Sequence, residues 1–117
     1  MRGESVHFSD WSAIEQAVTQ AVCTSSDPFA QETIANVQNL IDACREACPI
    51  PEGVAKGYWC TIRFCWRDRE VEIFDDHYEL YRFQQGHTDI KHFNHMPGTI
   101  IPAELMKYLS MQEQAQA

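Results

Sequence analysis

Apolar residues recur at the helical period in the first part of the chain, and the pattern predicts two helices. The first helix should begin at Ser9 or Asp10, either of which can cap it. The second should be capped by Asp27, with Pro28 in its first turn, and should end near Ala47. Their apolar stripes are Trp11, Ile14, Val18, Ala21 and Val22 in the first helix, and Ala30, Thr33, Ile34, Val37, Leu40, Ile41, Cys44 and Cys48 in the second. We therefore expect a helical hairpin with one buried side.

After a connector from Pro49 to Gly57, the period changes to two, and the stretch from Tyr58 to Phe93 reads as four strands of an antiparallel meander. On the first strand one set of side chains faces the predicted core: Tyr58, Cys60, Ile62, Phe64 and Trp66. The alternate set is Trp59, Thr61, Arg63, Cys65 and Arg67. We call the side of the sheet onto which this second set points the outer face.

Two of the three predicted turns follow from matching apolar residues across the strands. A turn centred on Asp68–Arg69 would place Phe64 opposite Ile73. A second turn at Asp75–Asp76, where aspartate tolerates the left-handed conformation, would set Ile73 beside Tyr78. Apolar residues then meet apolar residues across both turns.

The last hairpin is predicted to have a three-residue loop, Gln84–Gly86, because glycine supplies the positive φ that such loops need. This register pairs Leu80 with Ile90, and Glu79 with Lys91. A two-residue loop would put Leu80 opposite Lys91, and we reject it for that reason.

The C-terminal part returns to the helical period, with Pro102 suited to a first turn and an apolar stripe of Ile101, Leu105, Met106 and Leu109. A frayed end is expected from about Gln112. The predicted fold class is α+β: a single domain over residues 1–117 with an N-terminal helical hairpin, a four-stranded antiparallel meander and a short C-terminal helix, the helices on one face of the sheet.

The chain carries a formal net charge of -8, with six acids and one base between Asp10 and Ala47. Binding to polyanions requires lysine and arginine, so we expect neither nucleic acid nor a membrane as partner, whereas a basic protein would be attracted. Met1 to His7 lacks the features of a secretory signal, which favours a cytoplasmic location. The five cysteines are then expected to be free thiols.

Opposed carboxylates are the first candidate site on the outer face. The predicted register places Glu72 beside Glu79, and like charges in direct opposition should raise one pKa, giving a general acid next to a general base. The alternative interpretation, which we favour, is a solvated charge ladder in which Arg63 and Lys91 offset the pair.

Aromatic residues share the outer face with these charges. Trp59, Phe74, Tyr81, Phe83 and Phe93 have the parity that directs them there. Exposed aromatic patches of this size usually mark a partner surface or a ligand cleft. The interface or ligand-binding candidates are accordingly Trp59, Arg63, Glu72, Phe74, Glu79, Tyr81, Phe83 and Phe93. A homodimer through this face is the favoured assembly.

Metal and cofactor sites are not predicted. His87, His92 and His95 are close in sequence, but strand alternation sends His92 to the core, near Tyr78, and His95 to the other face. The glycines are scattered singly, so no phosphate-binding loop is present. Cys65, beside two arginines, could have a lowered pKa and some reactivity.

These features predict a non-enzymatic acidic interaction protein that self-associates through the outer face. In composition, though by no motif, the chain is similar to small acidic orphan proteins of mobile elements, such as immunity proteins, inhibitors and integron cassette products; no site residue follows from this similarity. The alternative is a small-molecule binding protein or modest enzyme whose cleft is lined by Trp59, Arg63, Glu72, Glu79, Tyr81 and Phe93. A deep pocket would favour the alternative, and a flat patch the interface.

Overall fold

The computed structural model describes residues 8–112. Its elements in chain order are α1 (Trp11–Thr24), α2 (Gln31–Cys44), β1 (Gly53–Lys56), β2 (Ile62–Cys65), β3 (Arg69–Ile73), β4 (His77–Gln84), β5 (His87–Asn94) and α3 (Ala103–Leu109). The predicted α+β class is confirmed. The segment in which a secretory signal was not expected, Met1 to His7, and the predicted frayed end beyond Gln112 lie outside the described residues.

The helical hairpin is present, with one boundary that differs from the prediction. Asp10 caps α1, its carboxylate accepting from the amide of Ala13 at 3.0 Å. The predicted capping of α2 by Asp27 is wrong, because the helix begins three residues after Pro28, with Ala30 as its N-cap and no side-chain cap. At its other end α2 stops at Cys44, where two amide groups of the following turn bond to the Cys44 carbonyl oxygen.

The sheet has five antiparallel strands in the order β1-β2-β3-β4-β5, one more than predicted. The additional strand, β1, lies in the segment taken for a connector and pairs with β2, Val54 opposite Phe64. Its four residues are too few for a period of two to stand out, and two of them are small. Within residues 8–112 no helix is long and apolar enough to cross a bilayer.

The register between β2 and β3 differs by two residues from the predicted one, while the register between β3 and β4 is confirmed. Phe64 lies opposite Val71, not Ile73, because the turn is centred on Arg67–Asp68. Since side chains alternate with a period of two, this shift leaves every side chain on its predicted face. Across the next turn Ile73 pairs with Tyr78 as predicted.

The last hairpin has the two-residue turn that the sequence argument rejected. Leu80 lies opposite Lys91, and Tyr81 opposite Ile90. Gly86 supplies the positive φ, at 75°. Lys91 is tolerated because its amino group reaches outward to within 3.8 Å of a Glu104 carboxylate oxygen and lies 5.7 Å from the centre of the Tyr108 ring. The one-residue change moves every β5 side chain to the opposite face.

All three helices pack on one side of the sheet, as predicted. Their buried residues form a single core with the inward side chains of β2, β3 and β4, namely Ile62, Phe64, Val71, Ile73, Tyr78 and Leu80. Trp11 of α1 meets Phe64 edge-on, with ring centroids 6.2 Å apart. Within residues 8–112, no helix lies over the outer face.

Polar anchors inside the core hold the sheet to the helices. Asn36 of α2 donates to the carbonyl oxygens of Phe74 and Asp75 at 3.0 and 3.1 Å, and its own carbonyl accepts from the Tyr78 hydroxyl. The β3–β4 turn is thereby fixed to α2 from beneath. Arg69 is buried, pairs with Asp68, and donates to the Leu109 carbonyl oxygen at the end of α3.

Candidate functional site on the outer face

The outer face carries the alternate side chains of four strands. They are Arg63 and Cys65 of β2, Glu70 and Glu72 of β3, His77, Glu79, Tyr81 and Phe83 of β4, and Thr88, Ile90, His92 and Asn94 of β5. Phe74, just past β3, joins them by stacking on His77. The predicted placement of Phe93 here is wrong, because the changed register turns it to the covered side, opposite Tyr78, where it packs against the core.

Ile90 takes the place that the sequence assigned to Phe93. It is 60% exposed beside Tyr81, whereas most other large apolar side chains of the strands are buried. Lys91, predicted on this face as a partner of Glu79, also lies on the covered side. The outer face therefore keeps one large apolar residue along β5 but lacks the lysine that the sequence argument placed there.

Trp59 is exposed, but it does not lie on a strand. β2 begins only at Ile62, and Trp59 belongs to the loop between β1 and β2, where it is 70% exposed and contacts Tyr58 edge-on at 4.5 Å. Cys60 in the same loop has a positive φ of 58°. The backbone leaves the extended conformation there, so strand alternation does not fix the direction of the Trp59 side chain.

Glu72 is enclosed and is not an accessible carboxylate. It is only 4% exposed, its Oε2 accepts from the Thr61 hydroxyl, and its Oε1 pairs with Arg63 at 3.1 Å. The loop lies so close that a Cβ at position 57 would overlap Thr61 Oγ1 and Glu72 Oε2. Glycine at position 57 is what allows the loop to close over this carboxylate.

Glu79 lies directly opposite Glu72 as predicted, but the two carboxylates turn to different partners. Glu79 Oε1 accepts from the Tyr81 hydroxyl at 2.7 Å, and Oε2 lies 3.1 Å from His77 Nε2. Burial by itself would raise the pKa of Glu79, yet these contacts hold it below its ordinary value. The raised pKa expected from an acid–base pair is thus not found at Glu79.

Tyr81 is held in its protonated, donating form. Burial and the neighbouring Glu79 carboxylate raise the pKa of Tyr81 to about 12. The guanidinium of Arg63 lies 5.3 Å from the centre of the Tyr81 ring and also bonds to Glu70. One connected network of Arg63, Glu70, Glu72, Glu79 and Tyr81 therefore spans three strands, and in it one guanidinium serves two of the three carboxylates.

Three rings stack in a row beside this network. The His77 ring lies between Phe74, at 4.1 Å between centroids and 13° between planes, and His92, at 4.3 Å and 15°. His77 Nδ1 contacts an Asp76 carboxylate oxygen at 2.6 Å, and His92 Nε2 lies 2.9 Å from Asn94 Oδ1. The stack places both imidazole rings side by side on the outer face.

His77, Glu79 and His92 are brought together here, with one candidate ligand atom from each residue within 4.8 Å of the others. Sequence reasoning missed the set because the predicted register sent His92 to the core. The histidine that packs against Tyr78 is instead His95, which is buried with its ring centroid 4.9 Å from that of Tyr78. The two-residue turn, had it been accepted, would have aligned His92 with Glu79.

All five cysteines lie among the described residues and are free thiols. Cys65 lies on the outer face, but burial and the nearby Glu70 raise its pKa to about 11, so the lowered pKa suggested by its arginine neighbours is wrong. Cys44 is buried, and a hydrogen bond with Cys48 together with burial raises its pKa.

A groove of about 270 Å³ lies away from the outer face, between α1 and α2. Its lining is mainly apolar and includes Val18, Val22, Ile34 and Ile41. Ile34, predicted to be buried, is partly exposed at this groove. Glu15 lies at the rim, where it pairs with Arg45 at 2.7 Å.

Comparison of the chain with protein-family models, with curated proteins and with solved structures gives no match.

Proposed function

We propose that this protein is a non-enzymatic interaction protein that self-associates through the outer face of its sheet. The observation that carries the proposal is that the three helices within residues 8–112 cover one side of the sheet, while no described element covers the other side, where Phe74, Tyr81 and Phe83 are half-buried and Ile90 is exposed. Apolar side chains grouped in this way usually mark an interface. A second copy of the chain is the occupant to which the proposal commits.

The state of the charges on this face also favours self-association. Arg63 is paired with Glu70 and Glu72, and Glu79 is bonded to Tyr81 and contacts His77. The Arg63 ion pairs are made within each chain and need no partner across the interface, so a dimer leaves this guanidinium compensated. An isologous dimer uses one patch twice, so the two copies bring the same face together.

Sedimentation velocity of paired variants tests the proposal. The outer-face change Ile90→Lys should shift a low-micromolar dimer to monomer, because it places an unpaired charge in the interface. Ile100→Lys is the matched control, since Ile100 is even more exposed, at 93%, but precedes α3 and does not lie on the sheet. The samples should contain a chelator, so that metal ions cannot link the chains.

A clean monomer for the unaltered chain at every accessible concentration would contradict the proposal. Equal loss of the dimer in Ile90→Lys and Ile100→Lys would contradict its placement on the outer face. Retention of the dimer in Ile90→Lys, with loss in Ile100→Lys, would move the interface to the segment before α3.

The small-molecule alternative is less well supported by the geometry. Of its six lining residues, Phe93 faces the covered side and Glu72 is enclosed by the loop. Arg63, Glu79 and Tyr81 are the members that share an accessible surface. If the alternative is right, changing Glu72 and Glu79 together to glutamine should abolish binding of whatever small molecule copurifies, whereas a double variant that differs only in stability would exclude it.

The acidic helices offer a second surface, to which a basic protein would be attracted. Such a role, in a reducing cytoplasm where the free thiols persist, agrees with the compositional similarity to accessory proteins of mobile elements.

A further inference from the structure

Two imidazole rings and one carboxylate lie side by side on the outer face. His77 and Glu79 point the same way from β4, because they are two residues apart on a strand, and His92 of β5 lies directly opposite Glu79. Candidate ligand atoms from the three side chains lie within 4.8 Å of one another. This is a set of donors typical of zinc sites with an open coordination position.

Each of these three side chains has its other polar atom held by a different residue. Asp76 contacts His77 Nδ1 at 2.6 Å, Tyr81 donates to Glu79 Oε1 at 2.7 Å, and Asn94 Oδ1 lies 2.9 Å from His92 Nε2. Residues that ligate metal ions are usually oriented by such outer partners, which fix the tautomer of a histidine and the direction of its lone pair. The remaining atoms, His77 Nε2, Glu79 Oε2 and His92 Nδ1, are then the available ligands.

The spacing between His77 and Glu79 suits a metal ion. His77 Nδ1 lies 2.6 Å from Asp76 Oδ1 and His77 Nε2 lies 3.1 Å from Glu79 Oε2, so in the tautomer with the proton on Nδ1 the Nε2 lone pair faces the carboxylate. Two acceptors at that separation need a proton or a metal ion between them. Two ligands in a tetrahedral zinc site with bonds near 2.05 Å are about 3.3 Å apart, so the observed spacing is close to that of a coordination shell.

The site is accessible and lies in a favourable field. The set comprises two half-buried residues and His92, which is exposed, so an ion can reach it from solvent. The net charge of -8 attracts cations to the protein as a whole. Glu72, the opposed carboxylate, is occupied by Arg63 and Thr61 and leaves Glu79 free to serve as a ligand.

We propose that His77, Glu79 and His92 form a binding site for a divalent transition metal, with zinc as the expected ion. Imidazole nitrogen favours zinc over calcium or magnesium, which prefer oxygen ligands. The two stacked rings turn about χ2, a soft torsion, to direct their lone pairs to a common point. Three protein ligands leave a position open for water or for a further ligand.

Metal titration of the tag-free chain tests this site. Cobalt(II) is a suitable probe, because its absorption spectrum distinguishes nitrogen and oxygen ligands from thiolates, and zinc should displace it. We expect one ion per chain. His92→Ala and Glu79→Gln should each weaken binding by at least about tenfold, whereas His87→Ala, at an exposed histidine of the same strand outside the set, should leave it unchanged.

Asp76→Asn gives a further readout, because Asp76 would act only by orienting His77. It should weaken binding by roughly tenfold without removing a ligand. Absence of a cobalt spectrum, retention of full affinity in both His92→Ala and Glu79→Gln, or a thiolate charge-transfer band would overturn the proposal. Circular dichroism of each variant separates loss of binding from loss of fold.

The metal proposal does not rest on self-association. Titration at concentrations where the chain is monomeric, and sedimentation in chelator, give separate answers for the two. A dimer that forms only with zinc would instead support the metal site and contradict a metal-free interface.

Discussion

The two faces of one sheet are built on different principles, although alternate residues of the same strands supply both. Along β4, Tyr78 and Leu80 are fully buried under the helices, and their places are fixed by close packing. Glu79 and Tyr81, their neighbours in sequence, are held on the other side by hydrogen bonds. The comparison indicates that the covered face supplies stability, while the outer face holds polar groups in defined positions at little cost to the core.

Truncating one large apolar side chain on each face should give the largest difference in the free energy of unfolding. Leu80→Ala should lower the free energy of unfolding by about 4 kcal/mol, because it leaves a cavity in a packed core. Ile90→Ala, measured as monomer, should cost under about 1 kcal/mol, because the exposed side chain buries little surface. Chemical denaturation measures both. Equal losses would show that the outer face is as tightly packed as the core.

The second-largest loss of stability is expected at Arg69, the buried cation that bonds to the end of α3. Arg69→Ala should cost about 3 kcal/mol, because it removes the partner of Asp68 and the donor to the Leu109 carbonyl. Arg67→Ala is the control, at an exposed arginine whose ion pair with Glu52 spans 3.8 Å, and it should change stability little. A small effect at Arg69, comparable to that at Arg67, would contradict its role as an anchor of α3.

The loop that contains Gly57 closes over Glu72 on the outer face. Gly57→Ala should cost about 2 kcal/mol, since the added Cβ would overlap Thr61 and Glu72. Gly53→Ala is the matched control, because the Cβ there would meet only Cys65, at an ordinary 3.8 Å. Thermal unfolding of the two variants compares them directly. If both lose the same stability, the loop is not closed over Glu72 as described.

The smallest expected effect is the pH dependence of the free energy of unfolding that comes from His95, on the covered side of the sheet. Burial lowers the pKa of His95, whose ring nitrogens contact Asn39 Oδ1 and the Thr99 hydroxyl. The neutral form is favoured in the folded protein, so the resulting stability is full above the unfolded pKa of about 6.5 and is lost as pH falls below it toward the folded value. As pH is lowered through this range, the free energy of unfolding in urea should therefore fall more for the wild type than for His95→Gln. Parallel pH profiles would rule out this contribution.

Much of the covered face could be predicted from the sequence, because periodicity reports burial directly. The stripes of α1 and α3 and the inward residues of β2 to β4 follow from it, and even the two-residue error in the β2–β3 register kept each side chain on its face. The capping error at α2 has a different cause. A proline after an aspartate fits a first helical turn. Here, however, Phe29 is buried in the core, and the helix begins only after it, at Gln31.

The outer face could be predicted only in part, because its content depends on a single residue of register. Rejecting Lys91 opposite Leu80 treated lysine as a charge and ignored its long apolar stem, which lets the amino group reach Glu104. That choice misplaced Ile90, His92 and Phe93 together. The hydrogen bonds around Glu72 could not be predicted either, because they depend on a loop whose backbone departs from the strand pattern at Cys60.

Native mass spectrometry of the purified, tag-free chain tests the central claim, that the outer face is the working surface, most directly. In chelator, the account predicts a dimer of twice the 13.5 kDa chain mass, reduced to monomer by Ile90→Lys. After addition of zinc it predicts one bound ion per chain, lost in Glu79→Gln. A single-chain mass that binds no metal and does not respond to either substitution would contradict it.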